Sequence, residues 1–390
     1  MANYTSELPL ASAPTLKLDH PTPKEKLEIW RENWKNWGSA LSLEDYIERE
    51  THLADIPPTR DGGVTHWILI DPTLPPDARP ILSCCESLRR RTFVSLPSGE
   101  VQEGIVHGIG SVFSSPLYRG RGYAARMLSD LGPILNTWQK EAGKSHFSIL
   151  YSDIGKKYYT KLGWLPFASS HISLPSAASP ATNGGNGDKA EGAKLLYEED
   201  LKELCELDES YLRNEVAKTA KSTHKPAVAI IPDQSTMTWH HLRERFMCSK
   251  LFPQKTPPTI HGAISTGAPG SRVRIVFSRV FYGPVANAKS GNTLYILRLV
   301  VEDETDTDEN AQKLKSVLQV AQAEAKEWEV ESVAAWNVSD VVKGLLKRTG
   351  LEYNLVDREN DSITSLMWYG DGKGDVDNVE WVGNEKFAWC

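Results

Sequence analysis

Between Ser111 and Leu128 the chain reads SVFSSPLYRGRGYAARML, an apolar strand end that turns through two glycines toward a helix. Gly120 and Gly122 can take backbone angles closed to other residues, so successive N–H groups can converge on a phosphate. Tyr123 to Leu128 favour a helix whose positive dipole end would face the same anion, and Arg119 and Arg121 add charge. The chemistry these residues offer is anion capture. Gly120, Gly122 and Ala125 also satisfy the dinucleotide-fold pattern GxGxxA. That fold needs a strand running straight into its first glycine, usually at the start of a domain, and here SSPLY intervenes about a hundred residues into the chain. An ordinary glycine-rich strand-to-helix turn is the remaining alternative.

The elements that must position this loop follow from hydrophobic spacing. After a short extended segment, LKLDH, the stretch KEKLEIWRENWKNWG carries Leu27, Trp30, Trp34 and Trp37 at helical intervals and stops at Gly38. Ser42 caps a second helix reaching about Glu50. Three strands follow, VTHWILI, ILSCCESLRRRTFVSL and VQEGIVHGIGSVF, bounded by turns such as DPTLPPD and LPSGE. The run Arg89-Arg90-Arg91 reads as a solvated strand face. Beyond the loop a helix is expected from about Ala124 to Glu141, kinked or broken at Gly132-Pro133. HFSILY is then a buried strand, leading into SDIGKKYYTKLGW.

Composition narrows the function classes. The 44 Lys and Arg against 51 Asp and Glu leave a formal charge of −7, which disfavours nucleic acid as a general partner. No apolar run approaches a membrane span and the N-terminus has no signal-peptide core, so a soluble, cytoplasmic protein without membrane partners is expected. The five cysteines form neither a disulfide framework nor a zinc pattern. His240-His241 and the other histidines show no ligand spacing, and no metal is expected.

Residues 175–193, PSAASPATNGGNGDKAEGA, lack large apolar groups and read as a flexible linker between residues 1–174 and 194–390. The later part contains helices at LLYEEDLKELCELDESYLRNEVA and QSTMTWHHLRERFM, then strands at RVRIVFSRVFYG and TLYILRLVVED. An acidic loop, DETDTDEN, leads to a long helix from about Asn310 to Trp328. A strand, the helix SDVVKGLLKRTG and a final pair of strands complete it. That order repeats the back half of residues 1–174, and Ser339 to Gly350 aligns without a gap on Ser152 to Gly163. An internal duplication is expected.

The full pattern P-x-Y-R-x-x-G-x-A, carried by Pro116, Tyr118, Arg119, Gly122 and Ala124, resembles the coenzyme A pyrophosphate loop of the GNAT superfamily of N-acetyltransferases. SDIGKKYYTKLGW resembles the family's second landmark, with Ser152 at its usual Asn, Gly155 at its Ala, Tyr159 at its Tyr, and Gly163 and Trp164 at the Gly-aromatic ending. The resemblance implies an α/β (α+β) fold, a mixed, mostly antiparallel sheet flanked by helices, followed by a second, degenerate copy whose DETDTDEN would repel the coenzyme. It implies acetyl-CoA as cosubstrate. Arg119, Gly120, Arg121, Gly122, Tyr123 and Ala124 would hold its pyrophosphate. Val112, Phe113 and Ser114 would meet the pantetheine arm, with Ser152 close by.

By the same resemblance Tyr159 is the acid that protonates the departing thiolate. The base is open between His107, which strand counting from Pro116 puts on the wrong face unless a bulge intervenes, and the carboxylate of Cys390. The ending NVEWVGNEKFAWC is aromatic to its last residues, and in tandem acetyltransferases of the enhanced-intracellular-survival type the terminal carboxylate enters the first active site. Taken together, the loop, the Tyr159 segment, the second half and NEKFAWC look like the fungal lysine N6-acetyltransferases of lysine catabolism. The implied partner is free L-lysine as a small-molecule acceptor. Another small amine, a protein lysine, or a non-catalytic CoA-binding scaffold are the alternatives.

Overall fold

Thr22 and Glu25 each bond the other's backbone N–H, and this capping box starts helix α1 (Pro23–Trp37). Ile29 and Trp30 are buried, whereas Trp37 at the helix end stays 41% exposed. Ser42 caps α2 (Leu43–Leu53) as its sequence predicts. The computed structural model describes residues 8–178, 189–190, 192–285, 287, 289–370 and 378–389.

The expected strands of the first part are present as β1 (Lys17–Asp19), β2 (Val64–Ile70), β3 (Ser83–Ser95), β4 (Val101–Phe113) and β5 (Ser145–Ser152). Helix α3 (Tyr123–Leu135) stops two residues after Pro133, short of the Glu141 expected from periodicity. The proline ring removes one ladder bond, and the chain leaves as turns. Gly132 has a packing reason: a Cβ there would lie 3.0 Å from Met367 and 3.1 Å from Trp164. A short α4 (Lys157–Thr160) carries Tyr159.

The chain continues through β6 (Leu165–Pro166), β7 (Ser170–Pro175), β8 (Lys189–Ala190), β9 (Ala193–Leu196), α5 (Glu198–Thr223), β10 (Ala227–Ile230) and α6 (Gln234–Leu251). It then forms β11 (Gly262–Ser265), β12 (Val273–Val280), β13 (Thr293–Val301), α7 (Asp308–Glu327), β14 (Ser332–Trp336) and α8 (Asp340–Thr349). Last come β15 (Asn354–Asp357), β16 (Ile363–Trp368), β17 (Glu380–Trp381) and a 3-10 turn at Lys386–Ala388.

Two mixed sheets result. The first runs β1-β2-β3-β4-β5-β16-β6, with β10 added beside β3 and β17 beside β10; the second runs β15-β7-β14-β13-β12-β11-β9-β8. Each contains one central parallel pair, β4 with β5 and β13 with β14, and the other neighbours are antiparallel except β10 with β17 in the first sheet. The two orders are the same when β7 is matched to β16 and β15 to β6. The duplication therefore holds at the level of topology, with one difference from the sequence reading. The final two strands do not stay together: β16 crosses into the first sheet between β5 and β6, and β7 crosses into the second between β14 and β15.

Opposed faces of the two sheets share an apolar layer that includes Val94, Val106, Phe147 and Ile149 from one and Val276 and Leu297 from the other. Helix α3 covers the outer face of the first sheet through Met127, Leu128 and Leu131, together with Ile109, Leu150, Tyr159 and Trp164.

Candidate active site

The glycine loop is open and its backbone is aimed. Gly120 and Gly122 have φ of 77° and 86°, left-handed values that disfavour any side chain. Gly122 is the N-cap of α3 and offers no side-chain cap, which leaves the first N–H groups of the helix for an incoming anion. Arg119 and Arg121 are exposed on either side of Gly120. Arg119 Nε donates to the Ser114 carbonyl at 3.0 Å, and its guanidinium lies 5.2 Å from the Phe113 ring. Tyr123 points inward, its hydroxyl donating to the Pro9 carbonyl, while Arg126 donates to the carbonyls of Ala11, Ala13 and Leu16. The chain start thus clamps the first turns of α3. A cleft of about 700 Å³ opens beside the loop, lined by residues including Arg31, Phe113, Ser115 and Tyr118.

Beyond Ile109–Leu150 the pairing of β4 with β5 ends, and β5 continues against β16 alone. Gly110 to Phe113 therefore line a gap between two diverging parallel strands. On its other side β4 bulges, since Cys84 pairs with Phe113 but Glu86 with Gly110, and Ser111 takes φ 52°. The bulge lets the Ser111 hydroxyl donate to Glu86 Oε1 at 2.8 Å.

Glu86 is the residue the sequence reading missed. Burial, reinforced by the Glu50 charge, pushes its carboxyl up to about 7, while the Ser111 bond and Arg49 pull it down. His66 Nδ1 lies 3.7 Å from Glu86 Oε2, and burial holds that imidazole down at about 4, so it is neutral at pH 7. A carboxyl near pH 7 is matched to taking a proton from an amine. The signal was in SCCESL: Glu86 is flanked at strand period by Cys84 and Leu88, both buried, so a lone carboxylate occupies a core-facing position.

Tyr159 lies on the opposite face of the sheet, packed with Ile109 and Leu150 on the α3 side. Burial first, then Tyr158 and Asp153, raise its phenol above the usual range, so it stays protonated. His107 also faces α3: it pairs across from Arg89, three positions from Glu86, and its Nε2 lies 3.2 Å from the Trp138 carbonyl oxygen. Burial lowers it to about 4. Thus the bulge lies C-terminal to His107 and brings Ser111, not the imidazole, to Glu86. The Ser152 hydroxyl donates to the Gly155 carbonyl at 2.6 Å and so holds the turn into α4. Val112 and Phe113 end β4 beside the gap, Ser114 follows them with its carbonyl accepting from Arg119, and Ala124 is in the first turn of α3. Cys390 lies outside the described residues. Trp389, just before it, packs on Trp239 at 6.2 Å, and Lys386 Nζ sits 3.8 Å above its ring.

The matching position of the second sheet is a cleft of about 580 Å³ along Leu299–Val301 and Asn337–Ser339. It is lined by Glu215, Glu302, Glu304, Glu380 and Glu385 against Lys218 and Arg298. The acidic turn ahead of α7 is tied down, since Arg348 binds Asp306 and Asp308. Among the described residues the cleft has no counterpart of the Arg119–Gly122 loop at this position, and several of its glutamates are held in ion pairs, Glu302 with Arg272 and Arg274 and Glu385 with Arg298. No group of acidic, histidine and cysteine side chains suited to a metal occurs among the described residues.

A helix-flanked mixed sheet split at its central parallel pair, with a glycine loop feeding the next helix, defines a GNAT fold. The family described as the LYC1 GNAT-like C-terminal domain matches residues 171–390, more than half of the chain, and the chain belongs to that family. An uncharacterized protein of Saccharomyces cerevisiae is 25% identical over 92% of this chain and 93% of its own. A protein of Yarrowia lipolytica named lysine acetyltransferase is 24% identical over 91% of this chain and 94% of its own. Among solved structures, Saccharomyces cerevisiae N-myristoyltransferase with bound myristoyl-CoA is similar in fold, with a TM-score of 0.53 at 10% identity over 96% of this chain and 84% of that one.

Proposed function

We propose that this protein transfers an acetyl group from acetyl-CoA to the side-chain amine of free L-lysine. The observation that carries the reading is the gap between β4 and β5, which has the open phosphate loop at one end, Glu86 on one face and Tyr159 on the other. An ammonium with an ordinary pKa of about 10.4 cannot attack a thioester, so its proton must leave first. Glu86 takes that proton on the side of the sheet facing α2. Backbone N–H groups of Gly110 to Phe113 that β5 leaves unpaired receive the thioester oxygen as charge builds on it. The amine nitrogen bonds to the acetyl carbon, the carbon–sulfur bond breaks, and Tyr159 gives its proton to the sulfur on the α3 side. Arg119 to Ala124 hold the pyrophosphate. The name of the Yarrowia lipolytica relative supports lysine as the acceptor.

The test is thiol release from acetyl-CoA with purified protein and a panel holding L-lysine, diamines and a histone peptide. L-lysine is expected to be the best acceptor, and Tyr159→Phe to lower kcat by roughly 10²- to 10⁴-fold with little change in coenzyme binding. Absence of thiol release with every amine of the panel would defeat the enzyme reading, and preference for the peptide would defeat the free amino acid.

A further inference from the structure

Arg358, just past β15, is only 7% exposed, yet two of its donors meet nothing. Nη1 donates to the Ser170 carbonyl at 3.0 Å, while Nε and Nη2 are buried without a hydrogen-bond partner. Its guanidinium lies flat enough on Trp336 to sit 4.0 Å from the ring centroid. The polar groups that bear on its charge are the phenols of Tyr295 and Tyr151, and among the described residues no carboxylate pairs with it. A buried arginine with orphaned donors costs stability unless a ligand completes it. The fork it presents, Nε beside Nη2, is the geometry that binds a carboxylate through two parallel bonds.

Its place in the fold relates it to the reacting gap. Tyr151, the penultimate residue of β5, lies one residue beyond the last pairing with β4 and packs with Trp336 at 5.8 Å. Glu86, Gly110 and Tyr151 therefore stand level on adjacent strands, with no side chain on the middle one. Two ordinary strand spacings of about 4.8 Å would already separate Tyr151 from Glu86 by roughly 10 Å, and the divergence of β4 from β5 widens that, with Arg358 on the far side of the gap. An acceptor whose amine reaches Glu86 and whose other end is anionic suits this arrangement, and a lysine carries its carboxylate and its side-chain amine at opposite ends of a flexible four-carbon stem.

We propose that Arg358 clamps the α-carboxylate of a free amino acid and so selects a monomeric amino acid over a diamine or a lysine within a protein. This deepens the proposed function and rests on it for the location of the amine. A protein lysine has no carboxylate at that distance. A diamine would bring a second cation to a wall already holding Arg358.

Calorimetric titration of the full-length protein, in the presence of CoA, with L-lysine, L-lysine amide and cadaverine tests this without any acyl transfer. Expected is tighter binding of L-lysine than of the other two by about 10- to 100-fold. Arg358→Gln should remove that preference by weakening L-lysine binding while leaving cadaverine binding no weaker than before, and Arg358→Lys should restore it in part. Equal affinity of the wild type for L-lysine and its amide, or an unchanged preference in folded Arg358→Gln, overturns the proposal. The amide comparison needs no variant, so it decides even where Arg358→Gln does not fold. Carboxylate-dependent binding without thiol release would refute acetyl transfer and leave the clamp standing. Thiol release from acetyl-CoA with cadaverine or a peptide as acceptor, without discrimination for the carboxylate, would do the reverse.

Discussion

Glu86 and Tyr159 face opposite sides of one gap, and what each touches sets its proton. Glu86 sits near neutrality because burial and Glu50 outweigh Ser111 and Arg49. Wild-type kcat/KM should therefore fall as pH drops below about 7, where the carboxylate protonates. Glu50→Gln removes the like charge and leaves Arg49 unopposed, so the acid limb should move to lower pH in a pH–rate profile. Glu86→Gln is expected to lower kcat by roughly 10²- to 10⁴-fold. Because the folded carboxyl titrates above its ordinary value, the native state binds the extra proton between the two values, and stability declines as pH rises through that window. Glu86→Gln should thus be no less stable than the wild type above about pH 7, and thermal melts would separate lost chemistry from lost folding.

At the scale of elements, the loop and α3 act as one device: Gly122 gives the backbone its turn, and Tyr123 and Arg126 fix the helix onto the chain start. A β-branched residue at 122 would be forced into the left-handed region at a cost of about 1–2 kcal/mol and would approach Ala11, whose Cβ is 3.4 Å from the position a new Cβ takes. Gly122→Val should therefore raise the KM for acetyl-CoA much more than it lowers kcat, with a loss of global stability no larger than that cost. Steady-state kinetics at varied coenzyme together with denaturant unfolding check both. A fall in kcat alone would place Gly122 outside coenzyme binding.

For the whole molecule, the exchange of β7 and β16 makes each sheet depend on chain from the other half. Ile363 to Trp368 pair along β5 from Ser152 to Phe147, and without them β5 is left as an exposed edge. Arg298 adds a tie, since it binds Asp208 on α5 and Glu385 next to the C-terminal turn. We propose that the two halves are one folding unit despite the linker-like stretch at 175–193, of which residues 179–188 and 191 lie outside the described residues. Unfolding by denaturant should then be a single transition with coincident fluorescence and circular dichroism, and residues 1–174 expressed alone should not fold. Two resolved transitions, or a folded fragment, would show separable domains.

The sequence by itself determined what is local. The cap at Ser42, the glycine turn at 120–122 and the helix break at Pro133 depend on neighbours in the chain and could be read from it. The second copy of the fold was legible for the same reason, through element order and the match of Ser339–Gly350 to Ser152–Gly163. Tertiary structure decided which sheet each late strand joined, because β7 and β16 satisfy the same pattern in either sheet. It also decided where the protons go. A bulge that turns Ser111 toward Glu86, and a buried arginine left open by strands more than a hundred residues away, arise from packing between distant segments, and spacing along one chain does not encode them.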